Sequence, residues 1–113
     1  MSDTSSLDAF NRLDLRVGTI VSAEPFPQAR KPCYQLSIDF GPVIGVKRSS
    51  AQITALYTPE SLAGSRVLAV VNFPTKRIAG FLSEVLVLGV PDDAGNVVLV
   101  RPDRDVPNGA RLY

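Results

Sequence analysis

The sequence contains no histidine, no tryptophan and only one cysteine, Cys33. Without histidine the chain cannot build a Ser-His-Asp or Cys-His nucleophilic site, nor a zinc or haem site with histidine ligands. A single cysteine forms neither an intrachain disulfide nor a cysteine-ligated cluster, which is consistent with a reducing compartment. We therefore expect no metal, no cofactor and no enzymatic activity, although the missing histidine alone leaves other catalytic chemistry open.

Long apolar runs and an excess of one charge are also missing. No run approaches the roughly 18 apolar residues that a membrane span needs. Residues 1–4 show neither the basic segment nor the start of the apolar segment that is typical of a secretory leader. Lysine and arginine number 12, and aspartate and glutamate number 11. Net charge therefore gives no general attraction to nucleic acid, and any basic site must be local. We expect a soluble, cytoplasmic protein without membrane insertion.

The chain has the size and composition of one domain. Its 113 residues are 45% apolar, which is enough for a core without metal or disulfide crosslinks. We assign residues 1–7 to an N-terminal tail and residues 8–113 to a single domain.

Short β-strands dominate the predicted secondary structure. Valine and isoleucine contribute 19 residues, and 8 glycines and 9 prolines interrupt the chain at short intervals. Residues 34–40 alternate apolar and polar side chains, and residues 43–48 are predicted as a third strand after a Gly41-Pro42 turn. Gly18 interrupts the first strand pattern, which is typical of a β-bulge or tight bend.

Two helical segments and one loop complete the predicted elements. Ser5 and Ser6 are capping residues that predict a single helical turn before the first strand. Residues 58–64 begin with a capping threonine and a proline and end with a glycine, which predicts a short helix after the third strand. Residues 92–96 have the composition of a hairpin loop.

Five or more short strands with one helix after the third are typical of an OB-fold, a five-stranded Greek-key barrel. A small β-sandwich or an SH3-like barrel gives a similar pattern. We predict the mostly β OB-fold, with a C-terminal extension. Residues 67–71, 85–88 and 97–100 are continuous apolar runs rather than alternating ones. Their second faces need a cover, and a second copy of the chain is one way to supply it.

Several separated motifs resemble the tRNA-binding domain family. They are residues 13–21, 47–54 and 71–73, together with Arg77, Gly80, Ser83 and Glu84. Within that family, four segments are similar to the CsaA branch of export-related chaperones: residues 44–47, 49–54, 70–74 and 78–81. The resemblance implies an OB-fold with terminal extensions and a homodimer. It also implies binding of unfolded or pre-export polypeptides, contact with the export machinery, and a tRNA-binding role.

The candidate binding residues lie in and beside these motifs. Two basic doublets offer cations to phosphates, small polar residues offer hydrogen bonds to a base or a peptide backbone, and larger apolar residues form a pocket for a hydrophobic segment. The polar candidates are Lys47, Arg48, Ser49, Ser50, Gln52, Asn72, Lys76, Arg77 and Ser83. The apolar candidates are Ile53, Tyr57, Phe73 and Phe81. For each residue the alternative is a structural role, as a solvated strand end, a turn cap or part of the core.

Three charged residues are candidates for structural ion pairs. Glu84 precedes a continuous apolar strand, so a buried Glu84 needs a cation, and Arg77 is the first candidate. Arg16 alternates with apolar neighbours and is expected to hold an acidic partner. Cys33 is either an activated thiol beside the basic residues of its loop or a half-buried, inert cysteine.

Two functions fit these observations. The first is a dimeric, export-related chaperone that binds unfolded or pre-export polypeptides passively through an OB-fold groove. It would act without ATP, because the sequence has no glycine-rich phosphate loop. The alternative is a tRNA-binding module that uses the same surface, with an affinity that falls steeply as salt rises.

Overall fold

The computed structural model describes the backbone of residues 3–113 and the side chains from residue 5 onward. The helices are α1 (Asp3–Arg12), α2 (Gly41–Ile44) and α3 (Pro59–Leu62). The strands are β1 (Leu15–Pro25), β2 (Tyr34–Asp39), β3 (Val46–Ala51), β4 (Arg66–Val70), β5 (Lys76–Ile78), β6 (Phe81–Ser83), β7 (Leu86–Val87), β8 (Gly89–Pro91) and β9 (Val97–Leu99). Within the described residues, no helix has the length and apolar character needed to cross a membrane.

The barrel is a five-stranded antiparallel sheet in the order β3-β2-β1-β4-β7. The long strand β1 is shared: its first part pairs with β4 and its later part pairs with β2, with a bulge at Val21. The two edges of the sheet meet where the Glu84 amide donates to the Arg48 carbonyl oxygen at 2.7 Å. The predicted OB-fold barrel is therefore confirmed. Two hairpins, β5–β6 and β8–β9, are added to it.

The core lies inside the barrel and is filled by side chains from β1, β2, β4 and α3 and from the residue that follows β2. These side chains are aliphatic or aromatic and almost completely withdrawn from solvent, so burying them supplies most of the driving force for folding. They include Ile20, Leu36, Ile38, Phe40, Leu62, Val67 and Ala69.

Helix α3 follows the third strand, as the sequence predicts. Thr58 and Ser61 form a reciprocal capping box: the Thr58 hydroxyl accepts from the Ser61 amide at 3.1 Å, and the Ser61 hydroxyl accepts from the Thr58 amide at 2.9 Å. This pair satisfies amides that a helix start leaves unpaired. The cap holds α3 in place so that Leu62 enters the core.

Helix α1 is longer than the single turn predicted from its capping serines, because distant side chains bond its last carbonyl groups. The Asn72 amide nitrogen donates to the Arg12 carbonyl at 2.8 Å, and the Arg111 guanidinium donates to the Asn11 carbonyl at 3.1 Å. Helix ends leave these carbonyls unpaired unless such donors are present. The tail boundary predicted after residue 7 falls within α1, and the division into residues 1–7 and 8–113 stays a prediction.

Gly18 does not mark a bulge, contrary to the prediction. It pairs regularly with Val67 of β4, and the bulge lies further along at Val21. A Cβ atom at Gly18 would lie 2.6 Å from Ile38 Cγ2 and 2.8 Å from Phe40 Cδ1. Glycine is needed here because two core side chains pack directly against the backbone.

The predicted third strand begins later than expected. Residues 41–44 form α2 instead of a simple turn, and β3 starts at Val46 rather than at residue 43. The Asp39 carboxylate accepts from the Gly41 amide at 2.8 Å, and Pro42 occupies the first turn, where its missing N–H costs no hydrogen bond.

The three continuous apolar runs differ in how the chain covers them. Residues 67–70 are all buried, so both faces of β4 are covered within the chain and neither is available to a partner. In the second run Leu86 is instead exposed, and in the third run residues 97–99 are half-buried. The predicted need for an external cover therefore applies to the second and third runs only. The loop at residues 92–96 joins β8 to β9 as a hairpin, as predicted.

Candidate functional site

A groove of about 1330 Å³ lies between the β1–β2 loop, the end of β3 and the β5–β6 hairpin, and it extends to β7, β8 and β9. We call it the main groove. OB-folds commonly bind their ligands with this face and these loops. The polar or small lining residues are Gln28, Ala29, Arg30, Lys31, Cys33, Ser50, Ala51, Gln52, Lys76, Arg77, Ala79, Ser83 and Gly89. The larger apolar lining residues are Ile53, Ile78, Val85, Leu86, Val87, Val97 and Leu99.

Four cations line the main groove, in two pairs on separate elements. Arg30 and Lys31 lie in the β1–β2 loop, and Lys76 and Arg77 lie in β5. No aspartate or glutamate is among the lining residues in the described chain, and none of the four cations forms an ion pair with a described residue. The groove lining therefore carries a local excess of positive charge although the whole chain has a net charge of +1.

The other part of the groove lining is apolar. Ile53 and Val85 are buried at its base, while Ile78 and Val87 are half-buried and Leu86 is exposed. These side chains belong to the end of β3, the hairpin and β7. The groove therefore combines an apolar surface with a cationic rim, which suits a ligand that has both apolar groups and negative or hydrogen-bonding groups.

Ser83 and Glu84 attach the hairpin to β3. The Ser83 hydroxyl accepts from the Ser50 amide at 3.0 Å, and the Glu84 carboxylate accepts from the Arg48 amide at 3.0 Å. The predicted ion pair between Glu84 and Arg77 is not formed among the described residues, because Glu84 is bonded to the backbone of β3 and Arg77 is exposed on β5. Glu84 positions one wall of the groove.

A small aromatic cluster lies behind the hairpin. Phe26 and Phe81 pack with ring centres 5.4 Å apart, and Cys33 is buried beside them. Phe81 therefore belongs to this cluster and not to the groove lining, contrary to the pocket role predicted for it. Burial raises the pKa of the Cys33 thiol above its usual value, which keeps it protonated near neutral pH. This agrees with the inert alternative for Cys33.

The predicted binding residues of β3, which are Lys47, Arg48, Ser49 and Ser50, have different positions relative to the groove. Ser49 is only 1% exposed, and its hydroxyl donates to the Val85 carbonyl at 3.0 Å, so it has a structural role instead of the predicted contact with ligand. Ser50 lines the groove, whereas Lys47 and Arg48 lie outside its lining. Gln52, Ile53, Lys76, Arg77 and Ser83 line it, and their contact with a ligand stays a prediction.

Three further candidates lie away from the groove lining. Asn72 joins α1 to β1, since its side-chain oxygen accepts from the Asp14 amide at 2.9 Å while its nitrogen holds the end of α1. Tyr57 has its hydroxyl bonded to the Leu99 amide at 3.0 Å, and Phe73 is partly exposed outside the lining. Asn72 and Tyr57 therefore hold the fold together.

Arg16 pairs with an acid close to it in sequence. Its Nε lies 2.6 Å from the Asp14 carboxylate, and its Nη1 donates to the Gly109 carbonyl at 2.9 Å. Arg111 lies 3.5 Å from the same carboxylate. This network joins the start of β1 to the C-terminal segment and is structural.

Sequence reasoning missed Arg30 and Lys31 as groove residues. They lie outside the family motifs, but they stand in the loop between the first two strands, which OB-folds use for ligand contact. Their position in that loop was the available signal. Only the folded hairpin brings them near Lys76 and Arg77.

Known proteins are similar to this chain over nearly its full length. The crystal structure of the chaperone CsaA from Bacillus anthracis str. Ames is 52% identical, with a TM-score of 0.89, and the match covers 100% of this chain and 99% of that chain. The CsaA chaperone of Picrophilus torridus is 47% identical, with a TM-score of 0.88, and the match covers 95% of this chain and 97% of that chain.

Some proteins much longer than this chain are also similar to it over one part of their length. The methionine–tRNA ligase of Methanocaldococcus jannaschii is 36% identical over 102 residues, which are 89% of this chain and 15% of the ligase. The chain thus spans about 15% of the length of that curated relative. The family model described as a putative tRNA binding domain matches residues 15–111. The chain therefore belongs to the tRNA-binding domain family.

Proposed function

We propose that this protein is a passive molecular chaperone that holds unfolded or pre-export polypeptides in the main groove. The similarity to two CsaA chaperones supports a chaperone role. The observation that carries the proposal is the apolar lining of a groove that is open to solvent and bordered by polar groups. A surface of this kind accepts extended segments of varied sequence. The protein acts in the cytoplasm, before its clients reach the export machinery.

Client binding uses the two parts of the groove differently. Apolar client side chains lose contact with water against Ile78, Leu86 and Val87, and this burial supplies most of the affinity. The side chains of Ser50 and Gln52 stand beside them and hydrogen-bond the client backbone, which every polypeptide presents. Binding is reversible and needs neither nucleotide nor covalent chemistry.

An aggregation assay with matched leucine variants tests the chaperone proposal. Leu86 lines the groove and is 49% exposed, whereas Leu56 is 46% exposed and lies outside the lining. We expect the protein to suppress aggregation of an unfolded client at stoichiometric dose without nucleotide. Leu86→Ser weakens this effect, and Leu56→Ser leaves it unchanged. Equal effects of the two variants, or no suppression by the unmodified protein, would contradict the proposal.

A second function, tRNA binding, is favoured by the four cations of the groove. Arg30, Lys31, Lys76 and Arg77 can contact successive phosphates and release their condensed counterions. Family membership supports the same ligand class. The two functions are compatible, because the apolar lining and the cationic rim belong to one groove.

Salt dependence tests the tRNA proposal. Four phosphate contacts predict that log affinity falls with log salt with a slope of about −3, at roughly 0.7 to 0.9 per contact. The measurement is a titration of labelled tRNA over a series of salt concentrations. A flat profile would rule out phosphate recognition by these cations.

We expect the protein to act as a homodimer. Two exposed apolar surfaces lie outside the main groove: Leu7 and Phe10 on α1, and Val90 on β8. A stable interface buries on the order of 1,200 Å² or more in total. Light scattering at micromolar concentration should give twice the chain mass. A monomeric mass would contradict the expectation, and loss of the dimer in Phe10→Ser or in Val90→Ser would identify the surface used.

A further inference from the structure

Arg48 holds its guanidinium over a buried aromatic ring near the main groove. The Arg48 Cζ atom lies 4.3 Å from the centre of the Phe81 ring. Phe81 is 5% exposed and is itself packed against Phe26. A ring fixed in this way restricts the guanidinium to one region through a cation–π contact.

The backbone of Arg48 is fixed as well. Its amide donates to the Glu84 carboxylate at 3.0 Å, and its carbonyl accepts from the Glu84 amide at 2.7 Å. On the other side, Arg48 pairs with Ser37 of β2. The Glu84 carboxylate forms no ion pair with the Arg48 guanidinium among the described residues, so the positive charge is not neutralised.

The guanidinium is free to contact a ligand. Arg48 is exposed, and its side chain forms no hydrogen bond or ion pair within the described part of the chain. Arg48 and Ser50 are two residues apart in β3, so their side chains leave the strand on the same face. Ser50 lines the main groove, which places Arg48 next to the groove on the same surface of the barrel.

We propose that Arg48, supported by Phe81, is a stacking site for an unpaired base of a bound RNA. Nucleotide bases stack on the flat faces of arginine side chains, and this contact tolerates any base because every base has a π face. The role differs from the phosphate contact that the sequence suggests for Arg48. The proposal rests on the proposed tRNA binding and adds to it the recognition of unpaired bases.

The surroundings favour RNA over an aromatic side chain of a client polypeptide. The adjoining groove carries Lys76 and Arg77 on the hairpin and Arg30 and Lys31 on the facing loop, with no acid among its described lining residues. A strand whose base lies on Arg48 can therefore place neighbouring phosphates against these cations. An aromatic side chain of a client polypeptide carries no phosphates, so it would gain nothing from these cations.

The test compares Arg48→Lys with Arg77→Lys. Lysine keeps the charge but lacks the flat guanidinium, so a stacked arginine loses its contact with the base, whereas an arginine on a phosphate changes its binding to both ligands in the same way. The ligands are a single-stranded oligoribonucleotide of about eight residues, close to the size that one OB-fold covers, and the same oligonucleotide without bases. Affinity is measured by fluorescence anisotropy at one salt concentration.

We expect Arg48→Lys to bind the oligonucleotide with bases about fivefold or more weakly, the loss associated with one stacked base. Its affinity for the abasic oligonucleotide should stay within about twofold of the unmodified protein, since the charge is unchanged. Arg77→Lys should affect both ligands alike.

Equal binding of the base-containing oligonucleotide by Arg48→Lys and the unmodified protein would overturn the stacking role. An equal loss on both oligonucleotides would also overturn it, since that result indicates a phosphate contact. A loss confined to a tryptophan-containing unfolded peptide would overturn it in favour of a polypeptide site. If the unmodified protein bound neither oligonucleotide nor tRNA, the proposed tRNA binding itself would fail, and this outcome is distinct from the other three.

Discussion

Ser49 and Ser50 are neighbours in β3 with opposite roles. The Ser49 hydroxyl is buried and bonded to the Val85 carbonyl, whereas Ser50 lines the main groove. The period of two in a strand places adjacent side chains on opposite faces. That period, applied to residues 47–54, places Ser49 and Ser50 on opposite faces of the strand from the sequence alone.

Ser49→Ala should lower the free energy of unfolding by about 1–3 kcal/mol, because the buried Val85 carbonyl loses a donor. Ser50→Ala is the matched control, and its free energy of unfolding should stay within about 0.5 kcal/mol of the unmodified protein. Urea denaturation measures both. Equal stabilities of the two variants would contradict the assigned roles.

Gly18→Ala should lower the free energy of unfolding by about 1–3 kcal/mol, the usual cost of overpacking a core. The added methyl group would collide with Ile38 and Phe40. Shortening one of those neighbours should relieve part of the collision, so the cost of Gly18→Ala should be smaller in a Phe40→Leu background. Additive effects in the double variant would show that the collision is not the cause.

At the scale of elements, the junction between α1 and β1 depends on Asn72. Its side chain donates to the Arg12 carbonyl and accepts from the Asp14 amide. Asn72→Asp keeps the side-chain oxygen that accepts from the Asp14 amide. It replaces the nitrogen that donates to the Arg12 carbonyl with a second oxygen, which cannot donate. Hydrogen exchange of the α1 amides should therefore accelerate by about fivefold or more, as expected for the loss of one helix-end bond.

Asn96→Asp makes the same chemical change in the β8–β9 loop and serves as the control for α1. Residue 96 is far from α1 in the sequence, so Asn96→Asp should leave the hydrogen exchange of the α1 amides unaltered. Unchanged exchange in Asn72→Asp as well would mean that packing or Arg111 alone anchors the helix.

Elements with a local signal could be predicted from the sequence. The alternation in β2, the capping threonine of α3 and the hairpin loop at residues 92–96 each depend on residues within a few positions of one another. The length of α1 could not be predicted in this way. Its terminal carbonyls are bonded by Asn72 and Arg111, which are 60 and 100 positions away from their acceptors.

The candidate site was predictable to the extent that its residues fall in motifs. Lys76, Arg77 and Ser83 lie in or beside the segments that resemble the family, and all three line the groove. Arg30 and Lys31 have no such motif, and their role depends on how the β1–β2 loop and the hairpin fold toward one another. Long-range geometry of this kind is not encoded in a short pattern.

At the scale of the whole molecule, the distribution of charge matters more than its sum. A net charge of +1 gives no reason to expect nucleic-acid binding, yet four cations and no acid line one groove in the described chain. Acids are placed elsewhere, for example in the Asp14 network and in the loop that holds Asp103 and Asp105. Local concentration of one sign can steer a charged ligand even when the total is near zero.

The most direct test of the groove as the binding surface compares two double variants with the same loss of charge. Arg30→Ser with Arg77→Ser removes two groove cations, and Arg101→Ser with Arg104→Ser removes two exposed cations from another part of the surface. The measurement is tRNA affinity over a salt series. We predict that the groove variant binds more weakly and that its log–log salt slope is shallower by about 1.4 to 1.8, while the other variant behaves like the unmodified protein. Equal losses in the two variants, or an unchanged slope in the groove variant, would contradict the account.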